Sequence, residues 1–273
     1  MEIGVVINFS AEDITPKIKE ASENGFHACQ LIAWNHAILT DRAAALINEA
    51  CEKYAVKVST FWCGWQDEVA SQWNFEKGPE TLGIVPPAVR EGRVAQMKRG
   101  SDFAKKIGVD KMATHLGYIP EVMSDPNYLP VVEAVRDIAN YCKANGQLFI
   151  FETGQETPTT LLRMMMDTGC DNLGINLDPA NLILYGKANP VDALLILGPY
   201  VRDVHAKDGT YPTDPHKLGK QTPLGEGHVN FPALIARLKE YGYDGTLIIE
   251  REISGPEQAR DIMAAKAMLE GLV

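Results

Sequence analysis

The sequence lacks any long run of apolar residues, since its longest unbroken apolar stretches are about five residues, as in Ala193 to Leu197. A membrane-spanning helix needs about 20 consecutive, mostly apolar residues. The first residues also lack the basic region and the long apolar core of a secretory signal peptide. Together these absences predict a cytoplasmic protein that does not cross a membrane.

Cysteine is scarce, with five residues in 273, and no two of them form a CxxC pair. An odd number of cysteines in a chain of this size is untypical of a disulfide framework or a thiolate zinc site. We interpret the cysteines as small buried side chains in a reducing compartment. Cys63, close to two tryptophans, is the one to examine for thiol reactivity.

Positive charge is in deficit, because 26 Lys and Arg residues stand against 36 Asp and Glu residues and give a formal net charge of −10. Such a surface repels the phosphates of nucleic acids and anionic lipids. We therefore predict no nucleic-acid partner and no membrane partner. The apolar content of 45% and charged content of 23% are ordinary for a folded protein and exclude extensive disorder.

Short apolar strands alternate with helical patterns along the whole chain. The first strand, Ile3 to Asn8, is rich in β-branched residues, as buried strands are. Seven further strands are predicted at 28–34, 56–62, 111–115, 148–151, 173–177, 201–205 and 246–249, each followed by a helix. Eight strand–helix units predict an α/β fold, a single (β/α)8 TIM barrel domain over residues 1–273. A doubly wound sheet is disfavoured because the turn after the first strand has no glycine.

Active sites of such barrels lie at the carboxyl ends of the strands. Strands four to eight each end in a side chain able to bind a metal, namely His115, Glu152, Asp178, His205 and Glu250. Three carboxylates in one barrel mouth are costly unless a cation is present. Oxygen ligands with one imidazole favour Mn²⁺, Mg²⁺ or Co²⁺, with Zn²⁺ possible, as one divalent metal ion. A purely structural acidic ring is the alternative, and a single carboxylate such as Asp178 is often only a helix cap.

Several sequence runs carry a family resemblance. They are FETGQETP (151–158), NLDPANLILYGK (176–187), VHAKDG (204–209), PLGEGHVNF (223–231) and GYDGTLIIERE (242–252). The chain resembles the xylose isomerase-like TIM barrel superfamily, and within it the sugar phosphate isomerase/epimerase family, which is related to D-tagatose/D-psicose 3-epimerases and inosose dehydratases. The resemblance implies that Glu152, Asp178, His205 and Glu250 are the metal ligands. It also implies that the two glutamates form the proton-transferring pair.

The sequence departs from the ketose 3-epimerase pattern at three places. Asn181 stands where those epimerases commonly have a histidine. His205 is followed by Ala206-Lys207-Asp208, which is closer to the inosose dehydratases, and the loop 208–229 is longer. AP endonucleases of the same superfamily use a histidine-rich metal cluster, which this acidic chain does not offer.

The expected activity is that of a metal-dependent sugar or sugar phosphate isomerase or epimerase in carbohydrate metabolism. The enzyme would remove a proton α to a carbonyl through a metal-stabilised enediolate. Glu152 and Glu250 are the expected catalytic carboxylates, and Lys207 would hold a substrate oxygen or act as an acid. A lyase or dehydratase acting on a keto-sugar or inosose is the first alternative. A non-catalytic sugar-binding barrel is the second.

Seven residues around the predicted mouth are expected to contact the substrate. They are Trp34, Trp62, His115, Gln155, Glu156, Asn181 and Asp208. The tryptophans are included because aromatic faces pack on the C–H faces of sugars. The only predicted partner is a small-molecule sugar or keto-sugar, apart from a possible homodimer, the commonest soluble oligomer.

Overall fold

Eight parallel strands close into a barrel in the computed structural model, which describes residues 1–273. The barrel strands are β1 (Glu2–Asn8), β2 (Ala28–Ala33), β3 (Lys57–Cys63), β4 (Lys111–Thr114), β5 (Leu148–Glu152), β6 (Leu173–Leu177), β7 (Val201–Ala206) and β10 (Thr246–Ile249). Hydrogen bonds join them in the order β1-β10-β7-β6-β5-β4-β3-β2, and β1 pairs with β2 to close the ring. Two short antiparallel strands, β8 (Asp208–Gly209) and β9 (Gln221–Thr222), lie outside it. The predicted (β/α)8 barrel fold is confirmed.

Ten helices surround the barrel. They are α1 (Thr15–Glu23), α2 (Asp41–Tyr54), α3 (Gly78–Thr81), α4 (Arg90–Lys106), α5 (Tyr128–Ala144), α6 (Pro158–Thr168), α7 (Pro179–Leu184), α8 (Pro190–Leu197), α9 (Phe231–Glu240) and α10 (Pro256–Glu270). Polar caps start several of them, for example Thr157 before α6 and Asn230 before α9, whose side chains accept backbone N–H bonds. No helix is both long and apolar enough to span a membrane.

The inside of the barrel below the mouth contains a buried carboxylate, Asp203 of β7. Its Oδ2 accepts hydrogen bonds from the hydroxyls of Ser59 and Thr60 on β3, and its Oδ1 accepts one from Thr246 of β10. A buried carboxylate is costly without such partners. Asp203 therefore joins strands on different sides of the ring below the site.

The long connection between β3 and α4 is fixed by Arg93, whose side chain is fully buried. Its guanidinium donates to both carboxylate oxygens of Asp67, at 2.7 and 3.0 Å, and to the carbonyl of Thr81 at 2.8 Å. The same group lies over the ring of Trp65, 4.9 Å from its centroid. Bidentate pairing and stacking hold this loop in one arrangement.

The second long connection, after β7, is organised by Asp208. Its carboxylate accepts hydrogen bonds from the backbone N–H groups of Gly209, Gly225, Gly227 and Val229, at 2.8 to 3.1 Å. A Cβ atom on Gly227 would collide with that carboxylate, so only glycine fits there. The expectation that Asp208 contacts the substrate is corrected, because backbone groups of the loop occupy its oxygens.

The interpretation of Cys63 as a candidate reactive thiol is also corrected. The side chain is completely buried, and burial raises the pKa of its thiol far above the usual value. Because the thiolate is the nucleophilic form, a buried neutral thiol is inert.

Candidate metal centre and substrate cavity

Four adjacent strands of the ring each deliver one ligand to the same point at the barrel mouth. Glu152 ends β5, Asp178 follows β6, His205 lies in β7 and Glu250 follows β10. Their ligand atoms all lie within 4.8 Å of one another. From His205 Nδ1 the distances are 3.3 Å to Glu152 Oε1, 3.6 Å to Asp178 Oδ2 and 3.2 Å to Glu250 Oε2. Three oxygens and one nitrogen thus converge at the spacing that a single cation requires.

Three of the four converging atoms have no hydrogen-bond partner in the protein, whereas the fourth, Glu152 Oε1, accepts from Asn181 Nδ2. Asp178 Oδ2, His205 Nδ1 and Glu250 Oε2 are all buried without one. The other oxygen of Asp178 caps α7 by accepting from the Asn181 N–H at 2.8 Å. Asp178 is therefore a helix cap through Oδ1 and a candidate ligand through Oδ2. Buried polar atoms are almost always paired, so this set fits a divalent cation.

The electrostatics of the protein chain alone show how strongly the cluster attracts positive charge. Burial by itself would lower the pKa of His205, but the carboxylates of Glu250 and Glu152 outweigh it and raise that pKa well above its usual value. Burial likewise opposes the charged form of Lys207, yet Glu250 and Asp178 hold its pKa well above normal. Lys207 Nζ lies 3.1 Å from Glu250 Oε2 and 3.0 Å from Glu252 Oε2. Lys207 therefore stays protonated and is a hydrogen-bond donor rather than a base.

The orientation of His205 is set from below by Gln30, a residue of β2 that the sequence interpretation missed. His205 Nε2 donates to Gln30 Oε1 at 2.7 Å and also lies 3.0 Å from the side-chain amide of Asn176. Gln30 Nε2 lies 3.4 Å from Asp203 Oδ2. The hydrogen bond to Gln30 keeps a proton on His205 Nε2, and Nδ1 therefore faces the three carboxylates. Support of this kind is usual for metal-binding histidines.

A cavity of about 560 Å³ opens above the cluster. Its lining includes Glu152, Glu250 and five of the other predicted site residues, which are Trp34, Trp62, His115, Asn181 and Lys207. Three of the lining residues surround the Glu152 carboxylate. Trp62 Nε1 donates to Oε2, Asn181 Nδ2 donates to Oε1 at 3.1 Å, and His115 Nε2 lies 3.6 Å from Oε2. A small substrate in this cavity would lie directly on the four-residue cluster.

The family described as xylose isomerase-like TIM barrel matches residues 18–270, which is nearly the whole chain. The chain belongs to this family. A xylose isomerase domain protein from Planctomyces limnophilus is similar throughout, with 33% identity, a TM-score of 0.91 and coverage of 99% of this chain and 96% of that one.

Two more distant structures share the barrel fold. A D-tagatose 3-epimerase-like protein is 23% identical with a TM-score of 0.77 and covers 100% of this chain and 97% of its own. A "probable 3-DHS dehydratase" from Bacillus anthracis is 18% identical with a TM-score of 0.70 and covers 98% of both chains. The xylose isomerase-like fold thus has both epimerases and a dehydratase among its structural neighbours.

Gln155 and Glu156, predicted to contact the substrate, do not line the cavity of this xylose isomerase-like barrel. Both are buried, and neither side chain has a hydrogen-bond partner. The sequence could not show that these two side chains are buried outside the cavity lining. Burial raises the pKa of Glu156 to about 8, although Lys187 acts in the opposite direction.

We expect the Glu156→Gln variant to become more stable than the parent as the pH rises. The pKa of Glu156 is raised in the folded state, so the folded protein holds this proton more tightly than the unfolded chain does. The resulting stabilisation of the parent is fully present below pH 4.5 and is lost as the pH rises to about 8. The loss is on the order of 5 kcal/mol, because the pKa rises from 4.5 to about 8 and each pKa unit is worth about 1.4 kcal/mol. Melting curves of both proteins between pH 5 and 9 measure it. A difference independent of pH would show that Glu156 titrates normally.

Proposed function

We propose that this protein is a divalent-metal-dependent sugar isomerase or epimerase that removes a proton α to a substrate carbonyl. The supporting observation is the convergence of ligand atoms on Glu152, Asp178, His205 and Glu250, three of them without hydrogen-bond partners, at the floor of a cavity large enough to hold a sugar. A bound divalent ion would polarise the substrate carbonyl and stabilise the enediolate. Mn²⁺, Mg²⁺ and Co²⁺ suit this donor set.

The two glutamates would move protons on opposite sides of a substrate. They come from β5 and β10, with β6 and β7 between them in the ring. Burial alone would raise the pKa of each, but His115 and His205 beside Glu152, and Lys207 and His205 beside Glu250, lower it. Both carboxylates are therefore ionised at neutral pH, the state that a general base requires.

Neighbouring side chains orient these groups. Trp62 and Asn181 donate to the two oxygens of Glu152 and fix its direction. Lys207, protonated and facing the cavity, donates to a substrate oxygen. His115 lies beside Glu152 and lines the same side of the cavity.

A lyase or dehydratase on a keto-sugar or inosose is the second candidate. It would use the same proton abstraction, followed by departure of a β-leaving group. Lys207 favours it, because its buried ammonium group, 3.1 Å from Glu250, could donate a hydrogen bond to the departing group. Asp208 no longer supports it, since its carboxylate anchors the loop.

A proton-exchange screen tests the proposal. Ketoses, keto-sugars and inososes are incubated with the protein in D₂O with added Mn²⁺, and the products are examined by mass spectrometry after removal of the metal. One deuterium with no other mass change supports an isomerase or epimerase, whereas loss of water or an aglycone supports a lyase. Sugar binding without any deuterium incorporation would contradict the proposal and support a non-catalytic sugar-binding barrel.

Replacing Gln30 by leucine is expected to weaken Mn²⁺ binding by roughly 10–100-fold, the usual effect of losing a residue that orients a metal-binding histidine. The variant removes the Gln30 acceptor of His205 Nε2 and leaves only the side-chain amide of Asn176 beside that nitrogen. Calorimetric titration with Mn²⁺ measures the change. Gln147→Leu is the matched control, because Gln147 is also buried and bonded but contacts Ser101 and Val109 far from the site. Equal affinity in both variants would show that Gln30 does not hold the histidine.

A further inference from the structure

The cavity has a polar floor and largely apolar walls. Its acidic, basic and amide groups near the metal cluster are Glu152, Glu250, Lys207, His115 and Asn181. Fourteen of the 24 lining residues are hydrophobic. A sugar ring with its carbonyl and hydroxyls therefore finds hydrogen-bond partners at the floor, whereas the walls offer mainly apolar contact.

Four tryptophans line the cavity, and three of them, Trp34, Trp62 and Trp65, pack against one another as a wall. Together with Trp73 we call them the tryptophan wall. Trp62 and Trp65 are only 2% and 3% exposed, whereas Trp34 and Trp73 are 46% and 45% exposed. The ring centroid of Trp34 lies 4.9 Å from that of Trp62 and 5.4 Å from that of Trp65. Because Arg93 fixes Trp65 from behind, the wall is present before a ligand arrives.

Further apolar side chains complete the lining from the segments that follow β6, β8 and β10. They are Leu184, Leu218, Ile253 and Ile262. The volume of about 560 Å³ exceeds the need of one sugar, since a hexose occupies on the order of 200 Å³ at crystal packing density. Space remains beside the wall for a second, ring-sized group.

Both long cationic side chains in the lining are already paired with carboxylates. The two long cationic side chains there are Lys207, paired with carboxylates, and Arg251. Arg251 donates to Asp261 Oδ2 at 2.7 Å and to Gln221 Oε1 at 3.0 Å. Glu152, Glu250 and Glu252 add negative charge to the same cavity. Phosphate sites need unpaired Arg or Lys side chains or helix N-termini, so the charge balance opposes a phosphorylated substrate.

Building on the function proposed above, we infer that the substrate is an unphosphorylated keto-sugar carrying an apolar, ring-sized substituent such as an aryl group. The sugar lies on the floor against the metal cluster. The substituent lies along the tryptophan wall and extends toward the exposed Trp34 and Trp73. An aryl group can pack on the tryptophans and on the apolar side chains beside them, whereas a second sugar could pack its C–H face on a tryptophan but would turn its hydroxyls toward those apolar side chains.

The test compares 3-keto-D-glucose, its 6-phosphate, phenyl 3-keto-β-D-glucoside and a 3-keto disaccharide as substrates for α-proton exchange in D₂O with Mn²⁺. The phenyl glycoside is expected to show a kcat/KM roughly tenfold or more above that of the free sugar, the effect of filling an apolar pocket. The phosphate is expected to be the poorest substrate. A phosphate or disaccharide preferred over the phenyl glycoside, or equal rates for free sugar and glycoside, would overturn the inference. No exchange with any of the four would instead count against the proposed function.

A binding measurement tests the inference even if no turnover is observed. Phenyl and methyl β-D-glucosides, which lack the ketone, are titrated while tryptophan fluorescence is recorded. Tighter binding of the phenyl compound supports the apolar wall, and equal affinity contradicts it.

Trp73→Ala should lower the ratio of phenyl-glycoside to free-sugar kcat/KM several-fold, because Trp73 lines the cavity. Phe75→Ala is the matched control, since Phe75 lies two residues further along the same loop, is 36% exposed and does not line the cavity. An equal effect of both substitutions on the ratio would show that the loop, not the wall, is responsible.

Discussion

Glu152→Gln and Glu250→Gln are each expected to abolish turnover. Glutamine keeps the shape of the side chain and one oxygen that can bind a metal, but it cannot accept the α-proton. The variant of the deprotonating residue should lose α-proton exchange by about 100-fold or more, the usual scale of general-base catalysis, while still binding Mn²⁺. The other variant should keep exchange from one face without completing epimerisation. In a lyase only one base is needed, so one substitution would be far milder.

The matched control for these variants is Glu156→Gln. Glu156 is a buried glutamate four residues beyond Glu152, but it does not line the cavity. Exchange in this variant should stay close to that of the parent. Retained epimerisation in both catalytic variants, with metal still bound, would mean that the base lies elsewhere, and His115 beside Glu152 would then be examined.

Lys207→Met is expected to destabilise the metal-free protein strongly and the metal-loaded protein less. Lys207 is buried within 3.4 Å of carboxylate oxygens of Asp178, Glu250 and Glu252. Removing one partner of a buried ion pair costs about 3–5 kcal/mol. In a protein of this size that corresponds to a drop in Tm of roughly 10 °C. A bound cation would supply part of the missing charge, so Mn²⁺ should bind the variant more tightly than the parent.

Melting curves with a chelator and with Mn²⁺ measure both effects on the same preparation. Lys143→Met is the surface control, because the Lys143–Asp171 pair has side chains that are 56% and 74% exposed. Exposed pairs contribute less than about 1 kcal/mol. If Lys207→Met lowered the Tm equally with and without Mn²⁺, the lysine and the metal would not neutralise the same carboxylates.

The barrel and its strand-end side chains could be predicted because they depend on local patterns. Apolar runs of strand length, separated by helical spacing, determine the alternation, and parallel strands bring their carboxyl ends to one mouth. Asp178 shows the limit of such reasoning, since its sequence context fits a cap and a ligand equally well. Only the folded chain shows that Oδ1 caps α7 while Oδ2 has no hydrogen-bond partner and is left as the candidate ligand atom.

Residues beyond the strand ends could not be placed in the same way. Gln155, Glu156 and Asp208 follow directly after predicted site residues, but the direction of a side chain after a strand depends on the turn that follows. Gln30 and Asp203 were missed for a different reason. A single polar residue inside a predicted strand carries little weight, although the two-residue period places Asp203 on the same face of β7 as His205.

The most direct test of the metal centre is α-proton exchange measured on one preparation before chelation, after chelation and after metal is returned. The measurement uses the best substrate from the exchange screen. We expect exchange to disappear with the metal and to return with Mn²⁺, Co²⁺ or Mg²⁺. The Tm should follow the same course, because a ligand bound only by the folded protein stabilises it. Full exchange in metal-free protein would contradict the assignment of Glu152, Asp178, His205 and Glu250 as a metal centre.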